Sequence, residues 1–113
     1  MSGDPSQGWL VHDGRVLASA VVAVTRAERR RGLLGRDGMD GVLVIRTRSV
    51  HTFGMRFPID VAFCGDDGTV RRTVTLRPNR VTMPVRGAVR AIEAPAGSFA
   101  SWGLGPGDVL EVR

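Results

Sequence analysis

Glycine and proline recur so often in this chain that no apolar segment can run far. Fifteen Gly and six Pro, spread over all 113 residues, cut the apolar residues into short pieces bounded by turns. That is the pattern of many short strands, so the fold class expected is mainly β. The candidate strands are Gly8 to Val11, Val16 to Val24, Gly41 to Arg46, Val50 to Met55, Ile59 to Cys64, Thr69 to Leu76, Ala88 to Ala94 and Val109 to Val112. Between the fifth and sixth, Asp67-Gly68 supplies a hairpin turn, because both positions tolerate a positive φ. These two strands are expected to pair antiparallel. The architecture implied is a single-domain antiparallel β-sandwich or flattened barrel over residues 8–113, after a disordered segment at 1–7.

One segment departs from this pattern. Thr25 followed by Glu28 forms a capping box, and Gly35 stands where a left-handed cap would end a helix, which predicts a short α-helix at about residues 26–34. The helix contains the charge run "RAERRR". Arg26, Arg29 and Arg30 fall in one sector, but Leu33 projects into its middle and Arg31 points elsewhere. The segment therefore reads as a solvated helix whose arginine stems cover Leu33.

Composition narrows the function classes. Hydrophobic content of 42% and charged content of 24% suit a soluble globular protein, and no apolar run approaches the ~20 residues of a membrane span, so no membrane partner is expected. The start, "MSGDPSQGWL", lacks the basic end and apolar run of a secretory signal, which points to the cytoplasm. The lone Cys64 excludes an internal disulfide framework. A net charge of +5 and a pI near 11.4 raise the possibility of nucleic-acid binding by counterion release. However, all 16 basic residues are arginine, which also fits a codon-composition bias.

Three blocks, "RGLLGRDGMDGVLVI", "HTFGMRFPIDVAFCGDDGTV" and "AIEAPAGSFASWGLGPGD", resemble in order and spacing the domain-of-unknown-function family 192, from about Leu17 to Val112. The resemblance implies a mainly β sandwich or flattened barrel with one short helix, and no established activity. The family's Gly-Leu-Met-Gly-Arg element falls on Gly32, Leu33, Leu34, Gly35 and Arg36. Its Met, Pro-hydrophobic-Asp element falls on Met55, Pro58, Ile59 and Asp60, its Glu-containing segment on Glu93 and Gly97, and its Gly-Asp on Gly107 and Asp108. This chain departs at Gly54, where many members have tryptophan, and at Arg56 and Phe57, where they often have Lys-Asn.

Asp60 is the residue that most needs an explanation. It interrupts Ile59 to Cys64, a strand so apolar that it should be covered on both faces, and an ionised carboxylate there requires hydrogen bonds or an arginine. Backbone N–H groups, Arg36 and His51 are the candidate partners. If the chain reverses around Arg56 to Pro58, pairing Phe53 with Asp60, His51 lies diagonally about 7–8 Å away on the same face. Glu93 interrupts a second apolar strand and could meet Asp60 across a pocket.

The expected function is therefore binding of a small polar ligand or a protein partner in a pocket containing Asp60, Glu93, His51, Arg36 and Met55. One alternative is a hydrolase or lyase on a saccharide-like substrate through the Asp60 and Glu93 pair. The other is arginine-based nucleic-acid binding, with Arg29, Arg30, Arg46, Arg48, Arg71 and Arg72 on one surface. With two His, one Cys and no Cys-x-x-Cys or His-x-x-x-His, neither a metal nor a cofactor is called for. "AGSFAS" is not a nucleophile elbow, and "GLGPGD", interrupted by Pro106, reads as a turn.

Overall fold

A computed structural model of the chain describes residues 7–23 and 38–113. The helix expected at 26–34, with Arg36, and the start of the chain up to residue 6 lie outside the described residues. Seven strands form one sheet: β1 (Gln7–His12), β2 (Arg15–Ala23), β3 (Val42–Ile45), β4 (Ile59–Cys64), β5 (Val70–Leu76), β6 (Arg90–Pro95) and β7 (Leu110–Val112). Their order is β5-β4-β6-β3-β2-β1-β7. The fold is thus mainly β, a sheet curled into a half-barrel. One helix is described, α1 (Ser98–Trp102).

Neighbouring strands pair antiparallel except β2 and β3, which run parallel from Ala20↔Val42 to Ala23↔Ile45. A parallel pair cannot be joined by a tight hairpin and needs a crossover of about a dozen residues or more, which the chain between Ala23 and Val42 is long enough to supply. The predicted β4–β5 hairpin is present, with Ile59↔Leu76 to Cys64↔Val70 in register. At its turn the Thr69 N–H donates to Asp67 Oδ1 (3.0 Å), and this bond holds the exposed Asp67 carboxyl below its ordinary range.

Seven of the eight candidate strands appear, each within about two residues of the expected ends. Val50 to Met55 does not. Both edges of β4 are already taken, by β5 and β6, so the segment has no edge to join. It instead turns at Phe53-Gly54, where Gly54 has φ 79° and the Met55 N–H donates to the Thr52 carbonyl (3.1 Å). Upstream of that turn it pairs with residues 80–85: His51 bridges Val81, Thr82 N–H donates to Val50 O and Val85 N–H to Arg48 O (2.9 Å each). These two stretches form an irregular ribbon. Buried Thr52 pins it, donating its hydroxyl to Arg77 O (2.6 Å) and accepting from Arg80 N–H (2.9 Å).

The ribbon explains why β4 is buried at all six positions. On the inner face of the sheet, Ala62 and Cys64 join Leu10, Val44, Ile92, Phe99 and Leu110 in one apolar cluster. On the outer face, Ile59, Val61 and Phe63 pack with Val50, Met55 and Ala88, contributed by the ribbon segments and their continuations.

The two edges of the curled sheet meet at one end. There the Leu110 N–H donates to Gly68 O (2.9 Å) and the Val70 N–H to Asp108 O (2.8 Å), so β7 and the start of β5 close the curl. Farther along β5 the edges diverge, and α1 fills the interior with Phe99, backed by Trp102 at a ring-centroid distance of 6.0 Å. "GLGPGD" forms the turn before β7, with the Gly105 N–H donating to Asp108 Oδ2 (2.8 Å).

Candidate functional site

Asp60 points into the half-barrel, where both its carboxylate oxygens accept hydrogen bonds. Oδ1 accepts from the Thr75 hydroxyl (2.7 Å), its cross-strand neighbour on β5. Oδ2 accepts from the Gly97 and Phe99 N–H groups (3.0 and 3.1 Å). The second contact is a helix cap supplied from a distant strand. Gly97 occupies the N-cap of α1 with φ 92° and has no side chain to accept from the first turn, so Asp60 takes that place. Of the partners the sequence suggested, backbone N–H groups are those used, together with Thr75; His51 takes no part. A hollow of about 370 Å³ opens beside Asp60, lined also by Thr73, Thr75 and Phe99, but both carboxylate oxygens are already engaged.

Glu93 does not meet Asp60. Across the β4–β6 ladder Asp60 stands opposite Ala94, while Glu93 stands opposite Val61. Opposed residues share a face and successive residues alternate, so the two carboxylates leave opposite sides of the sheet. Glu93, fully buried, belongs to the outer side, where Met55 also packs. The pocket expected around both carboxylates does not form, and neither does the two-carboxylate arrangement a glycoside-type mechanism requires. His51 lies on the ribbon, its ring stacked on Phe53 at 4.9 Å and its Nδ1 accepting from the Phe53 N–H (3.4 Å). The expected pairing of Phe53 with Asp60 is absent because β5 occupies that edge.

The arginine set expected for nucleic acid is also dispersed. Arg29 and Arg30 lie outside the described residues. Arg72 stands opposite Phe63 of the outer face, and Arg71 is the extra residue of a bulge between the Phe63↔Arg72 and Cys64↔Val70 pairs, whereas Arg46 borders a groove beside Val44 of the inner cluster.

What the fold does assemble is a groove that sequence reasoning missed. Because β3 and β6 pair antiparallel through Ile45↔Ala91, the next position along the ladder sets Arg46 beside Arg90. Both line a groove of about 550 Å³ whose other walls are Val22, Ala23, Val44, Val89 and Val112. Among the described residues, neither arginine has an ion pair and no acidic residue lines the groove. Two fixed positive charges beside an apolar wall are complementary in chemistry to an anion with an apolar body. The available signal was an arginine at the end of each apolar strand, "VLVIR" and "RAIEA"; the pairing that joins them was not visible.

Cys64, fully buried opposite Arg90 in the β4–β6 ladder, is not a nucleophile. Burial pushes its thiol up to about 11, against a smaller opposing pull from the Arg90 guanidinium. A thiol reagent at pH 8 should therefore label the folded protein only at the rate of unfolding, whereas stoichiometric labelling within minutes in buffer would contradict this assignment. The sign for stability follows from the same shift. The unfolded thiol ionises near 9.0 while the folded one keeps its proton to about 11, so stability falls as pH rises through that interval.

Among the described residues no group of three or more His, Cys, Asp or Glu could hold a metal ion, and no helix is long and apolar enough to cross a membrane. Residues 9–112 match the model of the family DUF192, described as "Uncharacterized ACR". No curated protein matches the chain. Two solved structures share its fold. One, a "putative transcription regulator" from Sinorhizobium meliloti 1021, is 27% identical with a TM-score of 0.73, covering 97% of this chain and 98% of the other. The second, a protein of unknown function from Novosphingobium aromaticivorans DSM 12444, is 21% identical with a TM-score of 0.68, covering 93% and 83%.

Proposed function

The chain belongs to DUF192, a family described as uncharacterised, and from that premise we propose that it is a binding protein for a small anionic molecule with an apolar body, held in the groove between Arg46 and Arg90. The observation that carries this reading is the pairing of two guanidinium groups, free of ion pairs among the described residues, with a groove whose other described walls are valine and alanine. Each part has its own task. The arginine forks give orientation and charge recognition, and the apolar walls contribute about 25 cal/mol for each Å² of ligand surface withdrawn from water.

Asp60 supports this site indirectly: by holding α1 it keeps the interior of the half-barrel packed, and so keeps the strands that line the groove in place. The test is a fluorescence titration with 8-anilinonaphthalene-1-sulfonate, which joins one anionic group to an aromatic body. Wild type should bind at a single saturable site, and octanoate should displace the dye. Arg46→Gln and Arg90→Gln should each weaken binding at least tenfold while leaving the circular-dichroism spectrum unchanged. Equal binding by both variants would refute the assignment.

A further inference from the structure

The ribbon over the outer face carries a charge distribution found nowhere else in the described chain. Residues 47–58 and 77–89 contain Arg48, Arg56, Arg77, Arg80 and Arg86 and no acidic residue. All five are exposed, and none has an ion pair among the described residues. Between them stand exposed apolar side chains, with Phe53 at 48%, Val81 at 64% and Met83 at 79% of full exposure. Like charges gathered on one surface repel, and exposed apolar side chains stay hydrated, so a surface of this kind adds little to folding stability.

From these features we propose that the ribbon is a binding surface for single-stranded nucleic acid. Exposed arginines match phosphate geometry and release counterions from it. The Phe53 ring, stacked on His51, is an aromatic platform of the kind on which an unpaired base stacks. That platform selects single strands, because bases within a duplex present no face to it. The ribbon is also preorganised, pinned to the fold by the Thr52 hydroxyl and the Val50–Thr82 backbone bonds, so little ordering cost falls on binding. The surface stands on a different face from the Arg46–Arg90 groove, and the two assignments are independent.

The test is fluorescence anisotropy with labelled dT15, a 15-base-pair duplex and poly-glutamate as probes, at 50 and 200 mM salt. The single strand should bind most tightly. With about three phosphates neutralised, its affinity should fall roughly 15- to 20-fold across that salt range. Phe53→Ala should weaken dT15 about tenfold with little effect on melting temperature. Arg48→Gln with Arg80→Gln should flatten the salt dependence. The proposal is overturned if dT15 does not bind, if the duplex binds as well and Phe53→Ala changes nothing, or if poly-glutamate competes on equal terms, which would make the ribbon a surface for acidic polypeptides.

Discussion

Asp60→Ala should lower the melting temperature by at least about 10 °C, the largest loss expected from any polar substitution in this chain. The replacement removes the acceptor for three donors at once. The Phe99 N–H is buried and cannot turn to water, so leaving it unpaired costs about 1–3 kcal/mol. Loss of charge-assisted bonds from the Gly97 N–H and the Thr75 hydroxyl adds to this, for a total of about 3–6 kcal/mol. At about 4–8 °C per kcal/mol for a domain of this size, the shift is well within measurement. Asp60→Asn separates the mechanism from mere crowding. Its amide oxygen can still receive the two backbone N–H groups, while its NH₂ donates to Thr75, whose hydroxyl can accept as well as donate. Asn should therefore retain most of the stability. A loss as great as that of Ala would show that the charge, and not the cap, is what the fold requires.

Gly68→Ala is the second severe change, and its cause is backbone proximity. Gly68 has φ +85°, and a Cβ there would collide with the Leu110 carbonyl oxygen, at the place where β7 closes onto the start of β5. The positive φ alone costs an L-residue about 1–2 kcal/mol. The collision adds roughly another 1–3 kcal/mol, because a backbone oxygen cannot move aside as a side chain can. Gly14→Ala provides the comparison. Gly14 has φ +74° but nothing within 4 Å of the added methyl, so it should show only the φ cost. If the two variants melted together, the junction at Gly68 would not be holding the curl closed.

The strands were legible because their boundaries are local. Turn residues such as Asp67-Gly68 act over two or three positions, and the unbroken apolar run of β4 announces burial on both faces. That Asp60 would need a partner was equally visible, since an ionised carboxylate in such a strand has to be satisfied. Which partner it finds was not. The Gly97 and Phe99 N–H groups are 37 and 39 residues away, in a helix of five residues whose glycine cap gives no signal of its own. Val50 to Met55 has the composition of a strand, and only the occupied edges of β4 show why it crosses the face instead. The separation of Asp60 from Glu93 hangs on a single step of register, which pairs Val61 with Glu93 and so sends the two carboxylates to opposite sides. Arg46 and Arg90 meet through the β3–β6 ladder, a long-range pairing that no local pattern encodes.

The most direct test of the groove is to map backbone amide chemical shifts in an NMR titration with octanoate. Saturable shifts are expected to concentrate at Val22, Ala23, Val44, Val89 and Val112, with the Arg46 and Arg90 side-chain resonances moving in step. Shifts centred instead on Thr73, Thr75 and Gly97, beside Asp60, or no saturable shifts at all, would contradict the groove assignment.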